Sequence, residues 1–156
     1  METLRIICVC SGNICRSPMA VAILRERLAT ADRPAMVISG GTLNIQGRRA
    51  ADFARSAIKE LGEDYGRHIE EHRSQGISAA MLGMADYIVV MSPRHAAAVL
   101  KLAPHVARRI VALWEYAPES AGDLSHIPDP VGQGAEVFRA SRNLIDACLT
   151  RWMEGL

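Results

Sequence analysis

A cysteine, an arginine and a small polar turn occur together in Cys10-Ser11-Gly12-Asn13-Ile14-Cys15-Arg16-Ser17-Pro18. Gly12 and Asn13 are residue types that readily adopt positive φ, so they let a short loop curl. A curled loop turns successive backbone N–H groups inward, and a helix starting at its end adds partial positive charge. Ser17 as N-cap and Pro18 as first helical residue predict such a helix start. Arg16 contributes a planar fork of donors matched to phosphate oxygens. Cys10 opens the loop, where the same positive field suits a sulfur nucleophile in its charged form. The implied chemistry is attack of sulfur on a phosphate ion or ester held in the loop, through a cysteinyl-phosphate intermediate. Ser11, Gly12, Asn13, Ile14, Cys15 and Ser17 then make up the phosphate-binding loop.

Cleaving a phosphate ester also requires a proton for the leaving oxygen, which neither Cys10 nor Arg16 supplies. Ile127-Pro128-Asp129-Pro130 offers one, with flanking prolines that restrict where Asp129 can point. An aspartate before proline is equally an ordinary turn residue, so spacing leaves both readings open. Glu115, Glu119 and Asp123 lie near it in sequence and read as solvated surface charges. Other readings of the loop explain less. The nucleotide-hydrolase loop needs a Gly-Lys-Ser/Thr ending, and this stretch contains no lysine. A zinc site on Cys8, Cys10 and Cys15 lacks a second ligand pair, so no metal and no other cofactor is expected. Small buried core cysteines would account for Cys8 and Cys148 but leave Gly12-Asn13, Arg16 and Ser17-Pro18 unexplained.

The stretch Cys-Ser-Gly-Asn-Ile-Cys-Arg-Ser-Pro resembles the signature of the low-molecular-weight protein tyrosine phosphatases, and the likeness extends across nearly the whole chain. The resemblance implies that Cys10 is the nucleophile, Arg16 the phosphate clamp and Asp129 the general acid, because Ile-Pro-Asp-Pro is similar to the family's acid loop. It implies a supporting shell in which Asn13, Ser17, Ser39 and His72 hold the loop. Ser39-Gly40-Gly41-Thr42 and His72-Arg73-Ser74 carry that likeness, whereas His68, His95, His105 and His126 match no catalytic position and read as surface residues. The chain departs from the family at Val131 and Ile45, where many members place aromatic or larger apolar cleft residues. A phosphotyrosine ring would therefore meet aliphatic walls. The Gly47-bearing loop is similar to that of bacterial members acting on tyrosine kinases of polysaccharide export, so a phosphotyrosine protein, a bacterial tyrosine kinase among the candidates, is the implied partner. The resemblance also implies that peroxide could close a Cys10–Cys15 bridge; a packed small residue is the alternative for Cys15.

Related chemistries share this loop. A protein arginine phosphatase would carry threonine where this chain has Ile14. An arsenate reductase needs further cysteines after the third strand, and residues 80–100 contain none. A non-catalytic phosphate-binding module would not need Cys10, Arg16, Ser17 and Asp129 together.

The elements that must position these residues alternate between strand and helix patterns. That predicts an α/β three-layer sandwich: a four-stranded parallel sheet with helices on both faces and the phosphate-binding loop after strand 1. Strands are expected at Leu4–Val9, Ala35–Ser39, Ala85–Met91 and Arg109–Leu113. Helices are expected at 19–28, 49–61, 78–82, 93–102 and 134–152, with residues 64–76 a polar loop and 114–130 a long functional loop. Phe53, Ala57, Ile58 and Leu61 are expected on one face of the 49–61 helix, and Val137, Leu144, Ile145, Cys148 and Trp152 are expected to face inward. The 156 residues, 49% apolar and 22% charged, suit a single domain over 1–156. A net charge of +1 gives no reason to expect a nucleic-acid or membrane partner. No apolar run spans a bilayer, and the start of the chain reads as a strand rather than a signal peptide. Four cysteines without a disulfide-like framework suit the reducing cytoplasm.

Overall fold

The first strand, β1 (Leu4–Cys10), divides its side chains between two cores. Ile6, Cys8 and Cys10 enter one, and Ile7 and Val9 enter the other. A strand covered on both faces needs apolar residues at nearly every position, which explains the unbroken Ile6-Ile7-Cys8-Val9 run. The computed structural model describes residues 2–156. In chain order, β1 is followed by α1 (Arg16–Thr30), β2 (Ala35–Gly41), α2 (Asp52–Lys59), α3 (Glu63–Glu70) and α4 (Ala79–Gly83). Then come β3 (Tyr87–Val90), α5 (Pro93–Leu102), β4 (Ile110–Ala112) and α6 (Ala135–Met153). All strand pairs are parallel, in the order β2-β1-β3-β4.

Helices cover both faces, as the alternating pattern predicts. Met19, Ile23 and Leu24 of α1, Ile58 of α2, Ile69 of α3 and Ile145 of α6 pack with Ile6 and Cys8 on the larger side. Leu82 of α4 and Val99 of α5 pack with Ile7, Val9, Ile88 and Val90 on the other. Because β2 and β3 lie on opposite sides of β1, the connections diverge at the carboxyl end of β1. That divergence opens the crevice where ligands bind in such sheets, and the Cys10–Arg16 loop fills it.

Several expectations need correction. Residues 64–76 are not all loop, since Glu63–Glu70 forms α3. Its apolar signal is only Tyr65 and Ile69, and its Gly66 looks like a breaker. Gly66 lies where α2 passes close: a Cβ would stand 3.0 Å from Lys59 Cγ. Ser17 does not cap α1, which starts at Arg16 with Cys15 in the capping place and no side-chain cap bond. Val137 does not face inward but is 42% exposed, and Phe53, 44% exposed, does not share the burial of Ala57 and Ile58. The 49–61 helix is confined to Asp52–Lys59 because Ala50 and Ala51 run extended beneath the loop, where Ala51 N–H donates to the Ile14 carbonyl at 2.8 Å. The expected long loop carries short 3-10 turns at Leu113–Tyr116 and Glu119–Ala121.

Candidate active site

Cys10 ends β1 and is 2% exposed, with its Sγ 2.9 Å from Ser17 Oγ. Ser17 Oγ accepts a bond from Asn13 Nδ2 at 2.8 Å, which leaves its hydroxyl hydrogen to donate to the sulfur. Asn13 is fully buried and takes φ 58°. Asparagine tolerates this left-handed conformation, and its side chain here is fully bonded. Nδ2 also donates to Ser39 Oγ at 2.9 Å, and Oδ1 accepts from Gln75 N–H at 3.0 Å. His72 Nε2 donates to the Asn13 carbonyl at 2.6 Å. Burial, against this bond to Asn13, lowers the His72 pKa below the ordinary histidine value, so the ring is held neutral. Gly12, by contrast, takes no positive φ, and a Cβ on it would meet only ordinary contacts; the curl comes from Asn13 alone.

The loop is fastened to the residues just beyond β2. Thr42 N–H donates to the Cys10 carbonyl at 2.9 Å, and Leu43 N–H to that of Ser11 at 3.0 Å. Gly41 permits the approach, since a Cβ there would lie 2.5 Å from the Ser11 carbonyl oxygen.

Arg16 is 4% exposed. Its Nη1 donates to the Ile127 carbonyl at 2.8 Å, and its Nη2 lies 3.3 Å from Asp129 Oδ2 and 3.5 Å from Ser11 Oγ. The Ile127 backbone is itself held to β3, its N–H donating to the Met91 carbonyl at 2.7 Å. Asp129 is exposed at the cavity mouth, and its Oδ1 accepts the Val131 N–H at 3.1 Å. Glu115, Glu119 and Asp123 are exposed, as expected.

A cavity of about 180 Å³ joins these groups, lined by Cys10, Ser11, Gly12, Ile14, Cys15, Arg16, Leu43, Ile45, Asp129 and Val131. Its outer wall is aliphatic. A larger groove of about 490 Å³ beside Arg25, Arg33 and His68 contains none of the loop residues, so size does not select the site. Cys15 borders the cavity as a thiol: burial first, then the charges of Asp129 and Cys10, push it up to about 12. All the cysteines are free and buried. Among the described residues, no three His, Cys, Asp or Glu side chains converge as a metal-ligand set.

The structure brings Cys10, Ser11, Gly12, Ile14, Cys15, Arg16, Ile45, Asp129 and Val131 to one cavity and bonds Asn13, Ser17, Ser39 and His72 around the loop. Ser39 and His72 stay outside the cavity, as supports. Three participants escape a reading of the sequence. Gln75 bonds both Asn13 and the Ser39 carbonyl, through a backbone N–H and a Nε2 that no pattern marks. Leu43 forms cleft wall. His95, expected at the surface, is 3% exposed with Nε2 2.9 Å from Ser11 Oγ. The Ser92-Pro93 helix start before it was the available signal, since it puts His95 on the first turn of α5, above the carboxyl end of β3.

Comparison with known proteins agrees with this geometry. The profile of the family "Low molecular weight phosphotyrosine protein phosphatase" matches residues 5–156. The chain is 31% identical to a low molecular weight protein-tyrosine-phosphatase of Streptomyces coelicolor, covering 95% of this chain and 90% of that one. It is 29% identical to a protein-arginine-phosphatase of Geobacillus stearothermophilus, covering 97% of this chain and 95% of that one. Among solved structures, Vibrio vulnificus Wzb in complex with benzylphosphonate superposes with a TM-score of 0.84 at 29% identity, covering 99% of this chain and all of that one. This chain belongs to the low molecular weight phosphotyrosine protein phosphatase family.

Proposed function

We propose that this chain hydrolyses phosphotyrosine in proteins through a cysteinyl-phosphate intermediate. The observation that carries the reading is the convergence of Cys10 Sγ, Arg16 and Asp129 on one cavity with an aliphatic outer wall. In this reading the phosphate dianion enters the loop, and backbone N–H groups with Arg16 bind its oxygens. Arg16 stays anchored through Nη1 on the Ile127 carbonyl, while Nη2 exchanges Asp129 for the phosphate. The released carboxylate takes up a proton from solvent and so carries the one that the leaving oxygen needs. The Cys10 sulfur anion attacks phosphorus, the S–P bond forms, and the P–O bond breaks as Asp129 protonates the phenolate. Water next attacks the phosphocysteine and gives its proton to Asp129, and the S–P bond breaks to release phosphate. The Ser17 hydroxyl, donating to Sγ, stabilises the sulfur anion both as nucleophile and as leaving group.

The aliphatic wall of Ile14, Leu43, Ile45 and Val131 suits an aryl ring better than a guanidinium, which supports phosphotyrosine over phosphoarginine. The likeness of the Gly47 loop to kinase-directed bacterial members supports a bacterial tyrosine kinase as one protein substrate. Free buried thiols support a cytoplasmic setting.

The test is hydrolysis of p-nitrophenyl phosphate, a phosphotyrosine peptide and a phosphoarginine peptide by the wild type, Cys10→Ser and Asp129→Asn. Cys10→Ser should be inactive, and Asp129→Asn should retain turnover lowered by about 10²–10⁴-fold. Undiminished turnover in Cys10→Ser would sink the mechanism. A higher kcat/KM on phosphoarginine than on phosphotyrosine would replace the substrate with the one named for the Geobacillus relative.

A further inference from the structure

Half-buried Ser11 and buried His95 form a contact that the reaction as described does not use. Ser11 stands second in the loop and lines the cavity. Its backbone contact to Leu43 runs through the carbonyl, so the loop's course does not depend on the hydroxyl. His95 Nε2 lies 2.9 Å from Ser11 Oγ, and the buried Nδ1 has no partner among the described residues. Burial first, then the Arg16 charge, lowers the His95 pKa to about 4, with Asp129 opposing and Arg94 adding to the fall. The ring is therefore neutral and carries a single N–H. Orphaned buried N–H groups are rarer than orphaned acceptors, so that proton belongs on Nε2, donating to Ser11 Oγ. Arg16 Nη2 stands 3.5 Å from the same oxygen. With donors facing both lone pairs of Ser11 Oγ, its own hydrogen takes the remaining direction, into the cavity.

We propose that Ser11 is a further phosphate-binding group and that His95 is the residue that positions it. The Ser11 hydroxyl donates to an oxygen of the bound phosphate, and the His95 ring holds that hydroxyl in place before the anion arrives. A donor oriented in advance loses nothing to reorganisation, and its bond to a charged oxygen is of the stronger kind. The inference rests on the phosphatase reading for its substrate, while its test rests on phosphate alone.

The test is binding of inorganic phosphate to the full chain by calorimetry. The wild type is compared with Ser11→Ala, His95→Leu, His95→Gln and the double variant Ser11→Ala with His95→Leu. Thermal midpoints, and kcat and KM on p-nitrophenyl phosphate, are followed alongside. Ser11→Ala should weaken phosphate by about tenfold at an unchanged midpoint, a difference of about 1.4 kcal/mol. His95→Leu should match it, the double variant should bind no more weakly than either, and His95→Gln, which keeps a donor, should recover most of the loss. Wild-type affinity in Ser11→Ala overturns the proposal, as does an additive double variant. A second readout needs no variant: the ¹⁵N spectrum of the imidazole should show the Nε2-protonated tautomer with and without phosphate, and the Nδ1-protonated form overturns the proposal. A wild type that binds phosphate but cleaves no aryl ester rejects the phosphatase reading and leaves the Ser11 test standing. A wild type that binds no phosphate rejects both.

Discussion

Asn13 shows how much one side chain can hold. Its carboxamide joins Ser17, Ser39 and Gln75, and its backbone sits at φ 58°. Asn13→Ala removes these bonds, strands buried partners at about 1–3 kcal/mol each, and adds roughly 1 kcal/mol of backbone strain. Stability measured by urea should fall by about 3 kcal/mol or more, together with phosphate affinity. A loss confined to affinity would mean that the loop does not depend on this hub. The two buried histidines give a pH prediction. His72 and His95 both have folded pKa values below the ordinary 6.5, and His95 is brought to about 4. The unfolded chain therefore takes up protons first as pH falls. The stabilising contribution is complete above about 6.5, declines as pH drops, and is lost once the folded pKa is passed. Urea midpoints of the wild type and His95→Gln, compared between pH 7 and pH 4, should converge as pH falls. Parallel curves would remove His95 from the account.

At the scale of elements, the loop works because β2 lies against it. The Gly41 backbone approaches so closely that a Cβ would stand 2.5 Å from the Ser11 carbonyl oxygen, and backbone on both sides cannot yield cheaply. Gly41→Ala should therefore push the loop off β2 and cost both stability and most aryl phosphatase activity. Gly47→Ala meets no neighbouring atom, though its φ of 75° adds a smaller strain. Thermal melts with phosphate titrations on the two variants separate these effects: equal phosphate affinity in the two would mean that the loop tolerates the displacement. The helix α6 contributes differently. Ile145 is fully buried against the larger core, so Ile145→Ala should lower stability by about 2–5 kcal/mol while leaving KM for p-nitrophenyl phosphate unchanged.

At the scale of the whole molecule, β1 with neighbours on both sides gathers the loop, the Ile127–Pro130 segment and the start of α5 at one sheet edge. Binding of an anion there ties these elements together, and a ligand that binds only the folded chain stabilises it by mass action. Inorganic phosphate at about a hundredfold its dissociation constant should stabilise the wild type by about 2.7 kcal/mol, and Arg16→Ala should lose most of that gain. An equal shift in both proteins, read by differential scanning fluorimetry, would assign phosphate to another surface. No helix among the described residues is long and apolar enough to cross a membrane.

The amino-acid sequence by itself determined the chemistry-bearing loop, its place between a strand and a helix, and the alternation that makes a parallel sheet. These depend on residue types at short range: Cys10, Asn13 and Arg16 lie within one turn of chain, and a strand buried on both faces must be apolar throughout. The resemblance carried by the loop extended this to Ser39, His72 and Asp129, which lie far away in sequence. Only the tertiary structure decided the rest. His95 looks like an exposed helix residue until the sheet folds its first turn over Ser11. Gln75 acts through its backbone N–H on Asn13 and its Nε2 on the Ser39 carbonyl, contacts to distant residues that no side-chain pattern announces. Ser17, which reads as a helix cap, faces Cys10 and Asn13 instead, because the helix starts two residues earlier than that reading places it and Ser17 then lies inside its first turn. In each case the deciding partner is distant in the chain or sits on the backbone, and composition and periodicity report neither.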